Sequence, residues 1–186
     1  MHNVLMTKAI STERLILRPW EETDVDFVFD LYSRWVVQRF IGTEPTVMDS
    51  RTQAVAKLKS FQALDHPVHG IWAVTRKDDG VQVGTLLLKP IPKSGEEPTE
   101  PSGDVEIGWH FHPDHWGNGF ASEAAEAVLE HGFASGLERV VAVTNSANTA
   151  SQSVCRRIGM EHKGTTKKYY NDTCELFVVE NTTAAS

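Results

Sequence analysis

The spacing of hydrophobic and polar residues changes several times along this chain. A short alternation of leucines with polar residues predicts a strand over residues 14–18. Apolar residues then recur every three or four positions in two stretches, which predicts two helices. These are Val28, Leu31, Tyr32 and Trp35 in the first helix, and Ala54, Leu58 and Phe61 in the second. Thr23 is the expected N-cap of the first helix, and Ser50 with Gln53 forms a predicted capping box before the second.

The rest of the chain alternates strands and helices. Residues 70–75 and 81–89 are two β-rich runs, and the segment 77–80, Lys-Asp-Asp-Gly, is typical of a hairpin turn between them. The remaining predicted elements are strands at 105–111, 139–144, 160–168 and 174–179 and helices at 120–135 and 148–158. Gly136 and Gly159 follow the two helices, where glycine commonly ends a helix. This order predicts a mixed α/β layer built around one sheet.

Two segments depart from the globular pattern. Residues 90–103 are rich in Pro, Gly and Glu, with few side chains to bury, and predict an exposed, mobile loop. Residues 181–186 are small and polar, and we expect this tail to fray. With 186 residues in all, the chain fits one domain whose core spans residues 11–180.

Composition narrows the function classes. The chain is 40% hydrophobic and 23% charged, and no apolar run approaches the roughly 20 residues of a membrane helix. The first residues do not resemble a secretory signal, so we expect a cytoplasmic protein with no membrane partner. A net charge of −7 disfavours nucleic acid and suits a cationic substrate such as an amine. Two cysteines are too few for a disulfide framework, and we expect reduced thiols.

The segment with the clearest chemical signal is a Gly-x-Gly just before the predicted helix at 120–135. Gly117 and Gly119 allow unusual backbone angles and a close approach to a ligand. The first amides of the helix lack intrahelical partners and carry partial positive charge, which favours a phosphate or pyrophosphate. A tight strand-to-helix turn would give the same pattern. It is not a Walker loop, and Ser122 at the third glycine position argues against a dinucleotide fingerprint.

The wider segment resembles the acetyl-CoA signature of the GNAT superfamily of N-acetyltransferases, Gln/Arg-x-x-Gly-x-Gly/Ala. Here residues 116–121 are Trp-Gly-Asn-Gly-Phe-Ala, so Gly119 and Ala121 match the glycine and Gly/Ala positions, while Trp116 departs from Gln or Arg. Residues 113–124 also resemble the subgroup that acetylates the N-terminal residues of ribosomal proteins, as does the opening Glu-Arg-Leu-Ile-Leu-Arg-Pro-Trp at 13–20. A second signature, Asn148 to Ser151 followed by Arg-Ile-Gly-Met at 157–160, resembles the family segment that lies beside the pantetheine arm.

The resemblance implies a fold and a co-substrate. The fold is a GNAT-like mixed, mostly antiparallel central sheet flanked by helices, with strands splayed at the cofactor site. Acetyl-CoA is the implied co-substrate, without a metal, and a backbone amide near Phe111 would stabilise the developing oxyanion. The residues expected at the cofactor are Trp109, His110, Phe111, Trp116, Gly117, Asn118, Gly119, Phe120, Ala121, Ser122, Asn148 and Ser151.

The implied catalytic residues come from two places. An alkyl ammonium must lose a proton, and Glu106 and His110 share one face of a predicted strand. We prefer Glu106, since a glutamate recurs there in the subgroup; an ion-paired glutamate and an ordinary strand histidine are the alternatives. Ser151, Tyr169 or Tyr170 would protonate the leaving thiolate, although Ser151 also fits an ordinary first-turn helix residue.

Other aromatic residues suggest further hypotheses. His110, His112 and His115 form a loose cluster, but zinc is disfavoured because the third lies in the glycine-rich loop. Trp35 and Trp72 are expected in the core, and Trp20 and Trp116 near the cofactor or substrate cleft.

The leading hypothesis is therefore an enzyme that transfers acetyl from acetyl-CoA to a primary amine, such as a protein N-terminus. A small-molecule amine acetyltransferase, acting on a polyamine, an antibiotic or an amino acid, is the alternative on the same fold. A non-catalytic CoA sensor and a plain α/β domain are alternatives of other classes. The sequence leaves the acceptor and the oligomeric state open, a homodimer included.

Overall fold

The computed structural model describes residues 7–95 and 100–182. Within them the helices and strands follow one another in an order close to the predicted one. They are β1 Ile10–Ser11, β2 Leu15–Arg18, α1 Val25–Tyr32, α2 Trp35–Gln38, α3 Arg51–Gln62, β3 Gly70–Arg76, β4 Gln82–Pro92, β5 Pro101–Phe111, α4 Phe120–Ala134, β6 Arg139–Thr144, α5 Thr149–Arg157, β7 Glu161–Thr166 and β8 Cys174–Glu180. The predicted strands and long helices are confirmed, and β1 and α2 were not predicted.

The eight strands of these residues form one sheet in the order β1-β2-β3-β4-β5-β6-β8-β7. Every neighbouring pair is antiparallel except β5 and β6, which run parallel. The mixed, mostly antiparallel sheet expected from the sequence is confirmed. The parallel junction divides the sheet into two antiparallel halves.

Helices cover the sheet on both faces, and β3 shows how the sequence separates them. Trp72 and Val74 pack on one face with α4 and α5, in the larger core cluster. Ile71 and Ala73 alternate with them and pack on the opposite face with α1 and α3. This period of two is what a strand buried on both sides requires. A third cluster, centred on Ile91, Val141, Tyr169 and Val178, lies where the second face meets the loop before β8.

The first helix is shorter than its apolar spacing predicts. It ends at Tyr32, and Trp35 belongs to the separate helix α2, where its side chain is 58% exposed. The extended backbone of Arg34, at φ −90° and ψ 116°, interrupts the helix. The prediction that Trp35 lies in the core was therefore wrong. Trp72, at 1% exposure, confirms the other half of that prediction.

The predicted N-caps agree with the structure in position at Ser50, but the predicted capping hydrogen bonds do not form. Thr23 lies inside a short 3-10 helix, and the reciprocal capping box is formed instead by Glu21 and Asp24. Ser50 is the N-cap of α3, but its side chain makes no capping hydrogen bond. Gln53 accepts a hydrogen bond from the Asp49 amide rather than from Ser50. Local sequence marks helix starts, while the partner of each cap depends on the path of the incoming chain.

The segment predicted as a loop at 90–103 is largely strand in its described parts. β4 continues to Pro92 and β5 begins at Pro101, and Ile91 on β4 is fully buried in the third core cluster. Lys93 forms an ion pair with Glu100 at 2.9 Å, and the two residues also share a backbone hydrogen bond. Residues 96–99, the centre of the predicted loop, lie outside the described residues, as do 183–186 of the predicted tail. Burial of Ile91 offsets the local preference of Pro and Gly for loops.

No helix within residues 7–95 and 100–182 has both the length and the apolar character needed to cross a membrane.

Candidate active site

The site is organised by the junction of β5 with β6. In the described chain these strands pair at one residue pair, Glu106 with Val141. The His112 amide donates to the Val83 carbonyl on β4 at 2.9 Å, which fixes the phase of the β5 backbone. Because successive residues of a strand direct their amides to opposite edges, Trp109 and Phe111 face β6. Beyond the Glu106–Val141 pair, their backbone groups therefore face the gap where the strands diverge.

The same alternation separates the two roles predicted for His110, which are a cofactor contact through its backbone and proton transfer through its side chain. Its backbone faces β4, where its Cα partner is Thr85, and not the gap. Its side chain lies on the face of the sheet that it shares with Glu106, as the sequence predicted.

A glycine-containing loop lies at the end of β5 and leads into α4. Gly117 and Gly119 both have a φ of +78°, a left-handed conformation that favours glycine. Gly119 is the N-cap of α4 and offers no side chain to the first amides of the helix, those of Phe120, Ala121 and Ser122. A Cβ added at Gly117 would meet no atom within 4 Å, so the loop has open space above it. An anion could approach these amides directly.

A cluster of long-range contacts braces this loop from the N-terminal strands. Arg14 Nη1 donates to the Asn118 carbonyl at 3.0 Å, while its Nε donates to Glu123 Oε2 at 2.7 Å. Thr12 Oγ1 donates to the other oxygen of the same carboxylate at 2.6 Å. The Arg14 guanidinium also lies 4.8 Å from the centre of the Phe120 ring. These contacts could not be predicted from local sequence patterns, because Arg14 and Glu123 are more than a hundred residues apart.

Trp116 connects the same loop back to β5. Its indole Nε1 donates to the Phe111 carbonyl at 2.8 Å, and its ring is 49% exposed. The Asn118 side chain donates within the loop, to the carbonyls of His115 and Trp116. The side chain that departs from the family pattern therefore positions the loop. Trp20, the other tryptophan expected near the cleft, is 5% exposed and packs against Phe61.

Asn148 and Ser151 lie at the start of α5. The Asn148 side chain is the N-cap and accepts a hydrogen bond from the Ser151 amide at 3.2 Å. Arg157, in the last turn of α5, donates to Ser122 Oγ at 3.3 Å and so ties α5 to the first turn of α4. The two sequence signatures that resembled the GNAT family thus come together on the α4–α5 face of the sheet.

The opposite face carries the acid–base candidates. Glu106 is 6% exposed, and its Oε1 lies 2.8 Å from Lys89 Nζ on the neighbouring strand. The Tyr170 hydroxyl donates a hydrogen bond to the same oxygen and accepts one from Lys89 at 3.1 Å. Burial, followed by the negative charge of Glu106, raises the pKa of Tyr170. The phenol therefore keeps its proton near pH 7. Lys89 was not predicted, since only the β4–β5 register places it opposite Glu106.

His110 lies further along the same face, beside helix α1. Its Nδ1 is 2.9 Å from the Tyr32 hydroxyl, which also donates to Thr85 Oγ1 at 3.1 Å. Burial, together with the positive charges of Lys57 and Lys89, lowers the pKa of His110 to about 3. The imidazole is therefore neutral near pH 7 and accepts a proton poorly. This weakens its candidacy as the base that deprotonates an ammonium group.

The two other histidines of the loose cluster have separate partners. His112 Nε2 lies 3.0 Å from Asp30 Oδ2, and the centres of the His112 and His115 rings are 5.9 Å apart. Across residues 7–95 and 100–182, no three His, Cys, Asp or Glu side chains are grouped so that they could hold a metal ion.

Several other candidate groups have structural roles. Tyr169 is fully buried and its hydroxyl donates to Asp104 at 2.6 Å, whereas the hydroxyl of its neighbour Tyr170 donates to Glu106. Burial raises the pKa of Cys155 to about 12 and that of Cys174 to about 11, so both stay protonated thiols. Neither is activated as a nucleophile.

Comparisons with known proteins agree with this geometry. The family description "Acetyltransferase (GNAT) domain" matches residues 14–161. A Bacillus subtilis protein named as the uncharacterized N-acetyltransferase YoaA is 32% identical over 166 residues, which cover 88% of this chain and 89% of that protein.

Two solved structures have a similar fold. A GNAT acetyltransferase from Bacillus anthracis superposes with a TM-score of 0.75 at 26% identity, covering 94% of this chain and 99% of the other. The ribosomal L7/L12 alpha-N-protein acetyltransferase RimL in complex with coenzyme A superposes with a TM-score of 0.73 at 19% identity, covering 93% and 98%. At that identity the likeness to RimL is one of fold alone. The domain match and the Bacillus subtilis relative place the chain in the GNAT family of acetyltransferases, in agreement with its mostly antiparallel sheet and the glycine-containing loop at the start of α4, and it is an N-acetyltransferase of that family.

Proposed function

We propose that this protein transfers acetyl from acetyl-CoA directly to a primary amine, with the cofactor held in the gap between β5 and β6. The observation that supports this most is the single β5–β6 residue pair beside the open N-terminus of α4. The amides at the start of α4 would bind the pyrophosphate, and Gly117 leaves the space that it needs. Asn148 and Ser151 would lie along the pantetheine arm.

Acetyl-CoA supplies an activated acetyl thioester, and the chain would supply orientation and proton transfer. The amides of Trp109 and Phe111 face the gap, and one of them would donate to the carbonyl oxygen as negative charge develops. Glu106 would take the proton of the attacking ammonium, directly or through water. Lys89 balances the charge of Glu106 at 2.8 Å and holds its carboxylate in place.

The leaving thiolate needs a proton, and Tyr170 is the donor that we favour. Its raised pKa keeps the hydroxyl protonated at neutral pH, and the hydroxyl donates a hydrogen bond to Glu106. The proton that Glu106 takes from the amine would replace the one that Tyr170 gives to the thiolate. Ser151 is the alternative donor from the other side of the gap. Tyr169 is the less favoured donor, because its side chain is fully buried and its hydroxyl donates to Asp104 rather than to Glu106.

A protein N-terminal amine is the acceptor that the subgroup resemblance favours. The fold of RimL, named as an acetyltransferase of ribosomal L7/L12, agrees with that resemblance. A small-molecule amine acceptor, on the same fold, is the second candidate. We also propose that residues 11–180 act as one acetyltransferase domain.

Two measurements test the function. Calorimetry of the purified protein with acetyl-CoA should give saturable binding, and free-thiol release should follow when N-terminal peptides or small amines are added. Binding without thiol release from any amine would favour a CoA sensor. Absence of binding at millimolar acetyl-CoA would contradict the proposal as a whole.

A further inference from the structure

A second ammonium group, besides that of Lys89, lies on the side of the sheet where Glu106 and His110 are. Lys57 lies on α3, and its Nζ is 4.5 Å from the centre of the Tyr32 ring on α1 and 5.4 Å from that of Phe61 on α3. Tyr32 in turn contacts His110 on β5 through its hydroxyl. Lys57 is therefore connected by one aromatic ring to the strand that carries Glu106.

Lys57 forms no ion pair with any carboxylate of the described chain. The acidic residues of the adjacent helix α1 are already engaged. Asp26 pairs with Arg51 at 2.8 Å, and Asp30 pairs with Arg34 at 2.7 Å. Burial lowers the pKa of Lys57, and no nearby carboxylate offsets this effect. A partly buried ammonium that has only aromatic faces for company is destabilised, and an anion beside it would relieve the burial.

The local charge is positive although the whole chain carries −7. Lys57 and Lys89 both lower the pKa of His110, so both ammonium groups act on the same imidazole. Glu106 balances Lys89. His110 is itself neutral near pH 7, so the positive charge of Lys57 has no counterion among the described residues. An acceptor that carried only a cationic amine would leave that charge uncompensated, since like charges repel.

We propose that Lys57 binds an anionic group of the acceptor, and that the acceptors of this enzyme are amines with a carboxylate close to the reacting nitrogen. An α-amino acid and a peptide whose second residue is acidic both have this chemistry. The proposal rests on the acetyl-transfer function above and narrows its acceptor class. Its specificity comes from a charge-assisted hydrogen bond to Nζ, next to the apolar faces of Tyr32 and Phe61.

Matched acceptor pairs test the proposal in thiol-release assays. The first arm compares free amino acids with their carboxamides, and the second compares peptides that begin Ala-Asp or Ser-Asp with the same peptides carrying Asn. We expect kcat/KM to be at least about tenfold higher for the acid of each productive pair, because a hydrogen bond to a charged group is worth this much or more. The two arms distinguish a small molecule from a peptide N-terminus.

Variants of α3 assign that preference to one side chain. Lys57→Gln should reduce the acid-to-amide ratio of kcat/KM to near one, and Lys57→Arg should retain most of it. Lys59→Gln, an exposed position on the same helix, is the matched control and should leave the ratio unchanged. Thermal melting and acetyl-CoA binding of each variant show whether the fold and the cofactor site are intact.

Two results would overturn the inference. Amides acetylated as fast as acids by the wild-type enzyme would contradict it while leaving acetyl transfer established, and this comparison does not depend on any variant folding. A folded Lys57→Gln enzyme that kept the full preference would contradict the role of Lys57. Failure of every amine to release thiol would instead count against the proposed function itself.

Discussion

Lys89 Nζ lies 2.8 Å from Glu106 Oε1, at a position where the two residues are direct partners across β4 and β5. The same glutamate oxygen accepts a hydrogen bond from Tyr170, so one buried carboxylate joins two strands and the loop before β8. A buried carboxylate without such partners would be strongly destabilised. The arrangement holds the Glu106 carboxylate in one position, on the strand that borders the gap where the amine would attack.

Glu106→Gln tests the proposed base. The amide keeps the shape and a hydrogen-bond acceptor for Tyr170 but cannot take a proton, so we expect kcat to fall by about a hundredfold or more. The dissociation constant for acetyl-CoA, measured by calorimetry, should change little. Glu161→Gln on the exposed edge strand β7 is the control and should leave kcat unchanged. A Glu106→Gln enzyme within a few-fold of wild type would assign the base elsewhere.

Substitutions at two adjacent tyrosines should have different effects, one on catalysis and the other on stability. Tyr170→Phe removes the proposed proton donor, and we expect kcat to fall roughly tenfold to a hundredfold with acetyl-CoA binding retained. Tyr169→Phe removes a buried hydrogen bond to Asp104 and should lower the free energy of unfolding by about 2 kcal/mol with kcat little changed. Steady-state kinetics and urea unfolding of both variants check this. The opposite pattern would identify Tyr169 as the functional residue.

Gly119→Ala tests the proposed pyrophosphate contact at the glycine-containing loop before α4. A φ of +78° is unfavourable for alanine by about 1–2 kcal/mol, and the new Cβ would lie 3.5 Å from the Arg14 guanidinium that braces the loop. We expect a several-fold weaker affinity for acetyl-CoA in addition to a lower melting temperature. Gly136→Ala, with a φ of +96° after the far end of α4, provides the same backbone strain away from the site. It should lower stability and leave the affinity for acetyl-CoA as in the wild type.

His110 makes stability depend on pH. Its pKa is lowered from 6.5 to about 3 in the folded chain, so the unfolded chain binds a proton that the folded chain rejects between these values. Stability from this group is therefore fully present above about pH 6.5 and is lost as the pH falls toward 3, with a slope of at most ~1.4 kcal/mol per pH unit. Urea unfolding at pH 7, 5.5 and 4.5 measures the slope, and His110→Asn should flatten it. Equal slopes for both proteins would contradict the lowered pKa.

Much of the fold follows from local sequence. The hairpin turn at 77–80, the amphipathic helix α4 and the Gly-x-Gly before it were predicted because their signals lie within one or two turns of chain. The strand face shared by Glu106 and His110 also follows, since alternation along a strand is a local property. Predictions failed where a distant contact outweighed local preference. Burial of Ile91 extends β4 into a Pro- and Gly-rich segment, and α1 ends before Trp35.

The sequence by itself determined the family signatures, the order of elements and the open helix start that suits a phosphate. Only the tertiary structure decided which side chains meet on the face of the sheet that carries Glu106 and His110. Lys89 and Tyr170 reach Glu106, and Lys57 reaches the Tyr32–His110 pair, through strand register and helix packing between distant segments. The physical reason is that ionic and hydrogen-bonded partners are set by distance in space, which local periodicity does not encode. The charge on that face of the sheet, and with it the acceptor class that we propose, is therefore a property of the fold.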